Sequence, residues 1–165
     1  MKIILVSGTM GVGKTTICQR LKKELNYAVF LDGDWCWDMH PFRVNDITKA
    51  MVMDNIVCLM NNFIHSQQYE YILLGWVMHQ QEIIDELLER LDTHDCEVFC
   101  ISLICSKEQL IKQIQKDIDA GIRNKDILQR SVERLKQYSQ LNTSVIDITG
   151  LSIEDVLIKM KHMIG

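Results

Sequence analysis

The sequence predicts an α/β fold, with a parallel sheet covered by helices on both faces. Three observations predict it. Short apolar runs bounded by Gly, Asp or Ser alternate with longer segments whose apolar residues recur at helical spacing. The short runs are almost continuously hydrophobic, as in strands buried on both faces. The 165 residues contain one proline, no repeat and no low-complexity tract, so the chain reads as a single domain over residues 1–165.

Lys2–Ser7 reads as the first strand, β-branched and bounded by Gly8, and Lys14–Leu25 as an amphipathic helix. Ala28–Leu31 is the second strand, stopped by Asp32-Gly33, and a long helix is expected over about Asp46–His65. Tyr71–Leu74 follows as the third strand. Gln80–Leu91 is helical because Ile83, Ile84, Leu87, Leu88 and Leu91 fall on one face. Val98–Leu103 is the fourth strand, followed by helices over Lys107–Ala120 and Lys125–Tyr138. Val145–Ile148 and the helix Ile153–Met163 close the alternation. Ser106 with Gln109 and Ser152 with Asp155 have the spacing of capping boxes. In such sheets ligands bind beyond the carboxyl ends of the strands, so the chemistry is expected in the segments that follow them.

The net charge is −4, without the basic excess of a general nucleic-acid binder. No apolar run reaches the roughly 18–20 residues of a membrane helix, and the apolar start is too short for a signal peptide. A cytoplasmic protein that acts on small molecules, without nucleic acid or membrane, is expected. Six cysteines lack paired metal-binding spacing and read as reduced, structural thiols.

Gly8-Thr9-Met10-Gly11-Val12-Gly13-Lys14-Thr15-Thr16 follows the first strand and opens a helix. It is a full match to G-x4-G-K-[ST]. In such a loop, successive backbone N–H groups curl around a phosphate, and the glycines permit the close approach that a side chain would block. Lys14 is placed to bridge the β- and γ-phosphates and Thr15 to ligate Mg²⁺, while the helix points its positive end at the same charge. Nucleotide binding follows, with ATP and Mg²⁺ as the expected ligands.

Asn124-Lys125-Asp126 is one residue short of the guanine-reading Asn-Lys-x-Asp, and no carboxylate ends the third strand, where a DNA-dependent or rotary ATPase would have one. The acids lie after the second strand, in Asp32-Gly33-Asp34. Asp32 can serve the metal and Asp34 an acceptor hydroxyl as general base, with Gly33 expected to turn the backbone tightly between them. A plain solvated Asp-Gly turn is the alternative.

With Gly75 closing the third strand and the turn Gly150-Leu151-Ser152 after the fifth, these features resemble small P-loop kinases of the nucleoside-monophosphate-kinase-like group. Shikimate kinase, gluconate kinase and chloramphenicol phosphotransferase are the nearest likenesses. The resemblance implies a P-loop NTPase three-layer α/β/α sandwich, a five-stranded parallel sheet of order 2-3-1-4-5, a helical lid, and ATP-dependent transfer of phosphate to a hydroxyl. It implies that Asp34 holds the acceptor hydroxyl, that Asp32 stands near Mg²⁺, and that Arg123 is the lid arginine, with Arg130 its substitute. It also places an adenine-stacking position near Lys112.

Trp35, Trp37 and Phe42 follow the acids and could wall a ring-shaped acceptor, with Arg43 pairing an anionic group, or could simply cap the sheet. Gly75, Trp76, His79 and Gln80 should face the same crevice. A nucleoside or nucleotide kinase is a second reading, although Val77 and Met78 stand where such enzymes usually carry an arginine. A P-loop ATPase or nucleotide-dependent regulator without a small acceptor is a third.

Overall fold

The computed structural model describes residues 1–122 and 126–165. Five strands, β1 (Lys2–Ser7), β2 (Ala28–Asp32), β3 (Tyr71–Gly75), β4 (Glu97–Ile104) and β5 (Ser144–Asp147), pair in parallel in the order β2-β3-β1-β4-β5. The helices are α1 (Lys14–Glu24), α2 (Asp46–Ser66), α3 (Gln81–Arg90), α4 (Lys107–Asp119), α5 (Ile127–Leu135) and α6 (Ile153–Ile164). A 3₁₀ turn, Gly33–Trp37, follows β2, and another, Tyr138–Gln140, follows α5. The expected Lys125–Tyr138 helix is therefore shorter, with Tyr138 in a separate turn. Lys125 lies outside the described residues.

Strand side chains alternate between two cores, as the period of two requires. Ile4, Val6, Phe30, Leu73, Ile101 and Leu103 pack with α1, α4 and α6 on one face. Ile3, Leu5, Leu31, Ile72 and Leu74 pack with α2 and α3 on the other. This double burial explains why the strands are apolar throughout. Among the described residues no helix is long and apolar enough to cross a membrane.

Two caps differ from expectation. Ser152 and Asp155 form the reciprocal box at the start of α6. Ser106 accepts from the Gln109 N–H, but the Gln109 side chain turns elsewhere, its Oε1 accepting from Gly150 N (2.8 Å) and its Nε2 donating to Ile148 O (3.3 Å). Gln109 thus ties α4 to the turn between β5 and α6. A box formed by Asn45 and Thr48 starts α2 and went unforeseen.

Candidate functional site

Residues 8–13 leave the end of β1 and curl before α1. Gly11 and Gly13 take left-handed backbone (φ 83° and 104°), and a Cβ on Gly11 would stand 2.5 Å from Ile114 Cγ1, so both torsion and space exclude a side chain there. No side chain caps α1 and no acid stands in its first turn. Its N–H groups and positive end are left for an anion. Lys14 is buried, its Nζ donating to the carbonyls of Gly8 (2.8 Å) and Thr9 (3.1 Å).

Thr15 Oγ1 donates to Asp32 Oδ2 at 2.7 Å. The other oxygen of Asp32 accepts from the Asp34 N–H at 3.1 Å, capping the 3₁₀ turn and fixing the carboxylate's orientation. Asp32 is buried, whereas Asp34 is exposed and lines the same cleft as the phosphate loop. Gly33 works differently from expectation. It has no left-handed backbone, but a Cβ there would come within 2.5 Å of Trp76 Cγ, so close packing against that ring demands glycine.

The cleft, about 450 Å³, runs from residues 10–17 and Asp34 between α4 and the turn that Gln109 holds. Gln109, Gln113 and Lys116 line one side, and Ile148, Leu151 and Ile153 the other. This is a phosphate end joined to a slot with one polar and one apolar wall. Lys112, where the resemblance placed a stacking residue, is exposed and outside the lining; Lys116, one turn further, is in it. The row of 109, 113 and 116 at helical spacing, beside the buried Leu110 and Ile114, was the available signal. Behind the loop, burial pushes the Cys18 thiol up to about 12, against the pull of Lys14.

The expected acceptor residues divide. Trp76 is buried over Gly33, and Gly75 pairs with Asp32 in the sheet, with Phe30 Cε2 3.0 Å from where its Cβ would be. These two brace the acids from behind, and of the expected acceptor residues only Asp34 lines the cleft. Trp35 (61% exposed) rests its ring against Phe30, and Phe42 (64% exposed) against Trp37. Arg43 and Gln80 are exposed, Gln80 preceding α3 as its cap residue. The His40–Pro41 peptide between the aromatics is cis.

His79 is half-buried, and its Nδ1 has no hydrogen-bond partner among the described residues. Burial, then the charge of Arg134, lowers its pKa below the ordinary histidine value. Arg134, on α5, was passed over in the sequence. Its charge also acts on Tyr138, whose fully buried hydroxyl has no partner among the described residues and also senses Asp34. Burial holds that phenol well above its ordinary pKa. The charge of Arg134 thus reaches both His79 and Tyr138, and that of Asp34 reaches Tyr138. Arg130 faces outward and pairs with Asp126 at 2.7 Å. Arg123 lies outside the described residues.

Comparisons with known proteins agree with this architecture. A gluconokinase from Sinorhizobium meliloti 1021 superposes with a TM-score of 0.71 at 16% identity, covering 99% of this chain and 93% of its own. The Deinococcus radiodurans tunicamycin resistance protein gives 0.69 at 18% identity, covering 99% and 95%. Shikimate kinase from Acinetobacter baumannii, solved with shikimate, gives 0.67 at 18%, covering 99% and 93%. The fold is that of small P-loop kinases. Among curated protein sequences no match was found. The AAA domain family matches residues 4–138, from within β1 through the phosphate loop to Tyr138, and the chain belongs to that family.

Proposed function

We propose that this protein is an ATP- and Mg²⁺-dependent kinase that transfers the γ-phosphoryl group to a hydroxyl of a small-molecule acceptor. The observation that carries the reading is the chain Thr15–Asp32–Asp34, in which the buried Asp32 carboxylate ties the Thr15 hydroxyl to the turn of Asp34, and Thr15 and Asp34 line one cleft with the phosphate loop. The kinases among the structural neighbours support it.

Loop N–H groups and Lys14 hold the phosphates, and the polar and apolar walls of the slot take the base. Thr15 and Asp32 are hard oxygen donors of the kind Mg²⁺ uses together with substrate phosphates, and they would hold it. When bound, Mg²⁺ neutralises charge on the phosphate oxygens. Asp34, exposed at the acceptor side, orients the attacking hydroxyl and takes its proton. Arg134 brings positive charge to that side, where charge spreads over the phosphoryl oxygens in transfer. Arg123 is the second arginine proposed for this role, on the resemblance alone. The exposed aromatics Trp35 and Phe42, with Arg43, receive the acceptor.

The test is incubation with Mg-ATP and pooled sugar acids, nucleosides and aminated or phenolic antibiotics, followed by a search for mass gains of one phosphate. Asp34→Asn should lower acceptor phosphorylation by roughly 10² to 10⁴ while ATP still binds. ATP turnover indifferent both to every hydroxyl compound and to Asp34→Asn would establish the ATPase reading instead.

A further inference from the structure

We propose that the Thr9 hydroxyl seats α5 on the phosphate loop and thereby sets the position of Arg134, making Thr9 a positioning residue for phosphoryl transfer. The inference rests on the kinase reading. Thr9 occupies a free position of the G-x4-G-K-[ST] pattern, and phosphate binding asks nothing of its side chain because the loop binds through its backbone. Yet Thr9 is fully buried, and its Oγ1 donates to the Ser131 carbonyl at 2.9 Å, across 122 residues of sequence. Its own carbonyl accepts from Lys14 Nζ at 3.1 Å and from Val12 N at 3.3 Å. Residue 9 therefore joins the loop lysine on one side to α5 on the other.

The contact on α5 is as specific as the one on the loop. Ser131 is the buried residue of this nine-residue helix, small enough to let its backbone approach the loop. A helix so short depends on tertiary anchors. Leu128, Val132 and Leu135 pack it against the core, and the bond to the Ser131 carbonyl adds a directional restraint on its phase to that packing. Arg134 stands three residues beyond Ser131, about 4.5 Å along the axis and on the same side. Fixing the phase of the helix at Ser131 fixes where the guanidinium stands relative to His79 and Tyr138, on both of which its charge acts.

The test compares wild type with Thr9→Val, which keeps the shape and removes the hydroxyl, Thr9→Ser, which restores it, and Thr9→Ala as a second deletion. With an identified acceptor, Thr9→Val and Thr9→Ala should lower kcat about three- to tenfold, as for loss of one hydrogen bond, with KM for ATP within about twofold. Thr9→Ser should recover the rate, and Thr9→Val in an Arg134→Ala background should cost nothing more. Amide exchange over residues 127–135, in protein alone and with Mg²⁺ and a non-hydrolysable ATP analogue, should be faster in Thr9→Val than in wild type or Thr9→Ser. Additive effects of Thr9→Val and Arg134→Ala, or unchanged exchange over α5, overturn the proposal. Absence of analogue binding by the wild type would overturn the kinase reading, whereas the exchange measured without nucleotide reads the Thr9–α5 contact on its own.

Discussion

The phosphate loop and the segment that follows Asp34 are built by opposite means. At the phosphate end the groups are bonded to one another, with Thr9, Lys14 and Asp32 buried: Lys14 to two carbonyls, Thr15 to Asp32, Asp32 to the Asp34 N–H, Thr9 to α5. Beyond Asp34, where we propose that the acceptor end lies, Trp35, Phe42, Val44, Ile47 and Met51 stand exposed within seventeen residues of chain, held by ring contacts and the start of α2. The contrast teaches a division of labour. Phosphate chemistry is the same for every substrate and is preorganised by the backbone. An acceptor is recognised by side chains on a surface segment that can vary without disturbing the sheet.

The sharpest way to break this comparison is at the phosphate end. Lys14→Ala should lower ATP turnover by at least about 10² to 10³, as for loss of one preorganised charge-stabilising donor. Thermal unfolding should show the fold retained and stabilisation by Mg-ATP reduced. Wild-type turnover in this variant would remove the loop from the chemistry altogether.

At the acceptor end the effect should be smaller and of another kind. Trp35→Ala and Phe42→Ala should raise KM for the acceptor about tenfold, the worth of one good apolar contact, with KM for ATP unchanged. Stability should move by only about 0.5 kcal/mol, as for exposed positions. A large loss of stability would mean that the aromatics cap the sheet and that acceptor recognition lies elsewhere.

The smallest expected effect sharpens the boundary of the nucleotide end. Lys116→Ala should raise KM for ATP a few-fold, whereas Lys112→Ala, outside the cleft, should leave it as it is. Equal effects would show that the two lysines act through general positive charge.

These cases also show where sequence reasoning succeeds and where it stops. The phosphate loop is legible because its requirements are local: glycines, lysine and hydroxyl at fixed offsets between an apolar strand and a helix. The sheet order followed from resemblance, and strand positions agree to within a residue or two because apolar runs buried on two faces have sharp ends. The Ser106 box was half right, because Gln109 finds better partners in Ile148 and Gly150, about forty residues on. Seeing that Arg130 pairs outward with Asp126 while the charge of Arg134 reaches His79, or that Lys116 lines the cleft and Lys112 does not, requires the phase of a helix against the body of the molecule, which packing sets and spacing does not. Gly33 looked like a turn residue, but its reason for being glycine is the ring of Trp76, which arrives from another strand.

Cys18 carries a consequence for chemical probing. Its thiol is fully buried behind the phosphate loop, against Gly75, with a pKa pushed up to about 12. Alkylation needs both a thiolate and room for the reagent, and burial withholds both. Inactivation by an electrophile would therefore report a different sulfur: Cys58, exposed on α2, before half-buried Cys96 and Cys100 or half-buried Cys36 in the turn that carries Asp34. Protection by ATP against such a reagent would map communication between the turn and the loop, and a cysteine-reactive ligand for this protein should be built to approach from the acceptor side.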